Sequence, residues 1–126
     1  MKPSAVPAEP SWGYDCPVQA LRWLAGVTAD EARDRMEASG WRPELGSNLW
    51  QLAVGLSAYG RLDVVAGAGT GGTPRGFARR VPQGRWLLLV DDHVMALVDG
   101  ELHNAHGWED EPLTAVMTFL PRTEVS

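Results

Sequence analysis

Apolar positions recur at helical spacing through the first sixty residues, and beyond residue 85 they close up into short continuous or alternating runs. In residues 17–25, Val18, Leu21, Leu24 and Ala25 line one face of a short helix; Pro17 suits its first turn and Gly26 ends it. Thr28 followed by Glu31 is a capping box, which predicts a second helix to about Ala38, closed by Ser39-Gly40. Asn48 and Gln51 offer a third start, with Leu49, Leu52, Ala53, Leu56 and Tyr59 at helical spacing and Gly60 as the stop. Residues 61–66 read as a strand and residues 67–73 (GAGTGGT) as a loop, and Thr73-Pro74 caps a short helix through Arg80.

After residue 85 the period changes. Residues 86–90 and 93–98 are nearly continuous apolar runs, and Asp99-Gly100 is a two-residue hairpin signal leading into a strand at 101–105. In residues 113–120, Ala115, Met117 and Phe119 alternate with Thr114, Val116 and Thr118, a last strand. Helices first and an antiparallel meander after them define an α+β class, N-terminal helices packed on a C-terminal sheet. Residues 1–10, with Pro3, Pro7 and Pro10, read as a flexible lead, and residues 11–126 as a single domain.

Composition narrows the function classes. A chain of 126 residues supports one core and not two. The net charge of −5 argues against a nucleic-acid backbone as partner. No run approaches the ~18 apolar residues of a membrane span, and the N-terminus lacks the apolar stretch of a secretory leader, so the expectation is a cytosolic protein. Ten of eleven basic residues are arginine and isoleucine is absent, which reads as the codon usage of a GC-rich bacterial or phage genome. Cys16 is the single cysteine, which excludes an internal disulfide and any multi-cysteine metal centre.

That cysteine stands at the N-cap of the first predicted helix, where free backbone N–H groups and the helix dipole favour a thiolate. A thiol nucleophile needs an imidazole to take its proton and a third polar group to orient the imidazole. His93 opens the strand that leads into the Asp99-Gly100 turn. With a two-residue loop His93 faces His106 and Met95 faces Asn104, so Asn104 lies on the face of His93 and His103 on the other. Asn104 is the expected orienter and His106 the alternative. Taken one at a time, these residues also read as the polar ends of a hairpin.

A cysteine at a helix start, a histidine entering a late strand and an asparagine on the next strand, in that order, resemble the papain-like cysteine peptidase fold. In the papain family a tryptophan follows the asparagine and shields it; here Asn104 leads through Ala105-His106-Gly107 to Trp108. The Asp15-Cys16 pair, His93-Val94 and the Asp99-Gly100 hairpin are similar to NlpC-type cell-wall peptidases. They are closer still to small papain-like domains of bacteriophages, with the pattern D-C, then H-x-x-A-x-V-D-G, read here from His93 to Gly100. The resemblance spans residues 12–108. It implies a cysteine peptidase or amidase acting on a protein or peptide substrate without a cofactor, with Cys16 as nucleophile, His93 as base and Asn104 as orienter. The chain departs from the papain pattern in having no glutamine ahead of the cysteine for the oxyanion. Pro17 also replaces the small residue common after it.

Two other readings compete. His103 and His106 form H-x-x-H near His93, Asp91 and Asp92, but residues three apart on a strand point to opposite faces, so no metal clamp is expected. A catalytically idle papain-like module that binds a protein is the stronger rival: six tryptophans are many for this size, and Trp12, Trp41 and Trp108 beside Gly, Pro or acidic residues are candidates to line a groove. The loop at 67–73 lacks the Lys-Ser/Thr of a phosphate-binding loop. Arg75, Arg79 and Arg80 read as one solvated helix face and Glu109-Asp110-Glu111 as a solvated turn.

Overall fold

A computed structural model of the chain describes residues 16–41, 49–65, 72–90 and 93–122; the side chains of Cys16, Leu49, Trp50 and Val64 are not among those described. The 1–10 lead and most of the glycine-rich loop lie outside these residues. Four helices and five strands follow one another along the described chain: α1 (Cys16–Ala25), α2 (Ala29–Ala38), α3 (Leu49–Leu56), β1 (Gly60–Val64), α4 (Pro74–Arg80), β2 (Arg85–Val90), β3 (His93–Val98), β4 (Glu101–His103) and β5 (Ala115–Pro121). The strands form one antiparallel sheet in the order β1-β5-β2-β3-β4, so the α+β class stands.

Local signals set most boundaries. Thr28 caps α2 by accepting the Glu31 N–H at 3.1 Å, half of the expected capping box. The Glu31 carboxylate accepts the Tyr59 hydroxyl at 2.9 Å, tying α2 to the segment that enters β1. Thr73 caps α4 in the same way through the Gly76 N–H, with Pro74 in the first turn. The hairpin turn has Asp99 at φ 49° and Gly100 at φ 87°, both left-handed, which matches the twist of β3 and β4.

Two expectations need correction. The strands are not a simple meander. β4 stops at His103, two residues short of the expected 105, and the chain crosses the sheet to insert its last strand between β1 and β2. Thr114 docks that strand, its N–H and hydroxyl both reaching the Leu89 carbonyl, at 2.8 and 3.1 Å. Gly60 does not stop α3, which ends at Leu56; it opens β1 beside β5. A Cβ at residue 60 would run into the Leu120 carbonyl and lie 2.9 Å from the Pro121 Cα, so the two backbones need glycine here.

Pleating divides the core into two clusters. Leu87, Val94, Ala96, Met117 and Phe119 face one way and pack with Val18, Leu21 and Leu24 of α1, Ala32 and Met36 of α2, and Leu52 and Leu56 of α3. Leu88, Val90, Met95, Leu97 and Val116 face the other way, under Phe77 of α4 and under Ala105, Trp108 and Leu113 of the crossing segment. That second cover is held together by the Arg75 N–H to the Glu109 carbonyl at 3.0 Å and the Leu113 N–H to the Gly72 carbonyl at 2.8 Å. No helix among the described residues is long and apolar enough to cross a membrane.

Candidate active site

His93, first residue of β3, is 3% exposed and is the one buried polar side chain among the described residues. Burial pushes its pKa below the ordinary 6.5, opposed by a hydrogen bond to the Asn104 backbone. A carbonyl can only accept, so the short contact between His93 Nε2 and the Asn104 carbonyl oxygen places the ring proton on Nε2. Nδ1 then carries the lone pair and is the nitrogen able to take a proton. The Trp108 ring lies parallel to the imidazole, 6° between planes and 4.6 Å between centroids.

Asn104 meets this ring through its backbone. The β3–β4 register, Ala96 opposite His103 and Val98 opposite Glu101, is the one expected from the two-residue turn. At Asn104 the chain leaves it with φ 62°, and the side-chain Nδ2 donates to the Val94 carbonyl at 3.1 Å. The expected contact through the asparagine side chain is therefore replaced, in the imidazole contact the structure records, by one through the peptide carbonyl. His106, the alternative orienter, lies beyond the end of β4 and is exposed.

Cys16 is the first residue of α1 rather than the residue before it, and its thiol lies outside the described atoms. The backbone still fixes which end of the sheet it occupies. At the other end of α1, the Leu24 carbonyl accepts from Arg85 Nη1 at 2.6 Å, and Arg85 is paired with Val98 at the far end of β3. Trp23 stacks on His103, 3.8 Å between centroids, on the face opposite the His93 ring as expected. α1 packs along β3 and rises ~15 Å over its ten residues, nearly the length of that strand. Its N-terminus therefore points toward the His93 end. α1 covers the first face, whereas the His93 ring stacks with Trp108 of the second.

The groove expected from the tryptophans is not formed by Trp41 or Trp108. Trp41 is wholly buried under the helices and Trp108 is 8% exposed against His93; Trp12 lies outside the described residues. His103 sits against Trp23 and apart from the His93–Trp108 stack, and among the described residues no three His, Cys, Asp or Glu side chains gather as a metal site. Arg75, Arg79 and Arg80 are exposed, and Arg75 pairs with Asp110 at 3.0 Å, joining α4 to the acidic turn. Sequence reasoning missed the left-handed backbone at Asn104. Asparagine, the side chain that best tolerates that conformation, was its available signal.

Compared with known proteins, the chain matches no family model, no curated protein and no solved structure.

Proposed function

We propose that the chain is a papain-like cysteine hydrolase, a peptidase or amidase that cleaves an acyl bond through a thioester on Cys16. The observation that carries this reading is the His93 imidazole. It is buried, neutral, capped by Trp108 and committed through Nε2–H to a carbonyl, with Nδ1 as the base, at the end of the sheet toward which α1 points its N-terminus. In the reaction His93 Nδ1 takes the Cys16 thiol proton while sulfur attacks the acyl carbon. The tetrahedral adduct collapses with loss of the amine, which leaves with the proton from His93. Water, deprotonated by the same nitrogen, then attacks the thioester, releasing the acid and restoring the thiol. The Cys16 backbone N–H at the start of α1 supplies one donor to the oxyanion. The substrate is a protein or peptide, and the setting is the cytosol of a bacterial or phage-infected cell, on the arginine-for-lysine usage and the motif resemblance.

Thiol alkylation tests the pair directly, since every label reports on Cys16. With iodoacetamide between about pH 6 and 8, Cys16 reacts faster than free cysteine, and His93→Ala removes the advantage. His93→Gln, which keeps a donor toward the Asn104 carbonyl, separates loss of the base from loss of packing. A Cys16 that reacts no faster than free cysteine defeats the hydrolase reading. It would favour the second one, an idle papain-like module that binds a protein, to which the placement of α1 and the imidazole on opposite sheet faces lends support.

A further inference from the structure

Three side chains close the end of the β3–β4 hairpin in a reciprocal pattern. The His93 ring reaches the Asn104 carbonyl, the Asn104 amide reaches the Val94 carbonyl, and Trp108 lies flat on the ring. Ladder pairing ends one step earlier, at Ala96 and His103. Had β4 continued, residue 104 would pair with Met95 as an ordinary strand residue. Instead its φ of 62° turns the chain out of the sheet and presents the carbonyl to the imidazole. Among the described residues the other non-glycine in this region is Asp99, in the hairpin turn, where the turn type demands it. At residue 104 no two-residue turn makes such a demand.

From this geometry we infer that Asn104 is a positioning residue that orients His93 through its own peptide carbonyl, set by a left-handed backbone, and not through its side-chain oxygen. The inference deepens the hydrolase reading, because the orientation leaves Nδ1 as the base. It also stands apart from it, because a fixed tautomer can be measured without any substrate.

What residue 104 must supply under this inference is a backbone state. Glycine adopts that state freely, asparagine and aspartate tolerate it, and alanine meets a steric cost between its Cβ and the following carbonyl. Side-chain orientation makes a different demand, an oxygen acceptor, which aspartate supplies and glycine and alanine lack. Asn104→Gly is therefore the discriminating variant.

The readout is the imidazole Nε2–H proton of His93 in the full chain labelled with 15N-histidine. In the parent protein it is a slowly exchanging, hydrogen-bonded resonance at neutral pH. The resonance persists in Asn104→Gly and Asn104→Asp and exchanges at least about tenfold faster in Asn104→Ala. Persistence in Asp with loss in Gly overturns the inference in favour of the side-chain oxygen. Equal persistence in all three variants, or absence from the parent, overturns it as well. Should the alanine variant fail to fold, the glycine–aspartate pair decides alone. Cys16 alkylation rates taken alongside keep the two readings apart: an unreactive thiol with a protected Nε2–H sinks the hydrolase and leaves the carbonyl assignment standing. A reactive thiol with no protected Nε2–H in the parent does the reverse.

Discussion

The two faces of the sheet are built from similar strands yet covered in different ways. On the first, three helices lay down Leu21, Leu24, Met36, Leu52 and Leu56 against Leu87, Val94 and Phe119, and among the described residues no titratable side chain is buried there. On the second, one seven-residue helix and an irregular segment cover Leu88, Met95 and Leu97, and the buried histidine lies against Trp108 of that segment. A helix satisfies its own backbone, so a helical cover can be wholly apolar. An irregular cover has peptide groups left over, and the Asn104 carbonyl is one that a histidine can use. The difference teaches where chemistry can be placed in a small domain: the irregular cover supplies the polar partner, and the helical cover stays apolar.

That division can be broken by substitution. Leu21→Ala opens a cavity among α1, α3 and the sheet and costs about 3 kcal/mol in chemical denaturation. It leaves the His93 titration where it was; a shift of His93 in this variant would mean the faces are not separable. Trp108→Ala costs about 3 kcal/mol too, at the lower end for so large a ring because the cover can settle, and it moves the His93 pKa up toward its ordinary value as the ring is rehydrated. NMR titration of the three histidines reads both results.

Acidification gives a gentler test. Burial holds the His93 pKa below 6.5, and burial does the same to His103, where Glu101 opposes the shift and Arg22 adds to it. The unfolded chain therefore binds protons that the folded one refuses. The stability these histidines contribute is complete above pH 6.5, falls as pH drops below that value and levels off once the folded imidazoles protonate as well. His93→Gln should flatten the fall measured between pH 7 and about 5 more than His103→Gln does, since His93 is the more deeply buried. An unchanged slope would place the proton uptake elsewhere. The smallest effect belongs to Arg75→Ala. Its ion pair with Asp110 is exposed on both sides, so the variant should unfold at the same denaturant concentration as the parent, and a clear loss would give the second cover an electrostatic tie.

Local chemistry was legible along the chain wherever neighbours in sequence decide the outcome. The Thr28 and Thr73 caps, the extent of β3, the Asp99-Gly100 turn and the register it imposes all follow from residues a few positions apart. Pairing between distant strands was not legible, because nothing near β5 states that it belongs between β1 and β2. Trp41, beside Gly40, was a candidate to line a groove, but it folds under α1–α3 and is fully covered. At the site, His93 and Asn104 came together as the register required, whereas the atom that joins them depends on one backbone angle that side-chain logic does not reach. Gly60 carried a signal that was real and misassigned, a close approach of strands instead of a helix stop.

The position of β5 also sets a timetable. β1 has β5 as its sheet neighbour, and β5 is the last of the described strands to leave the ribosome. Until residue 121 is free, β1 and one side of β2 remain open edges, ready to pair with any other extended chain. The β2–β4 hairpins join residues close in sequence, whereas the sheet closes only through contacts as distant as Gly60 with Pro121, which carry the larger loop-closure entropy. A nascent chain stalled within the last strand would carry the hairpin that positions His93 and still lack the strand that joins the two halves of its sheet.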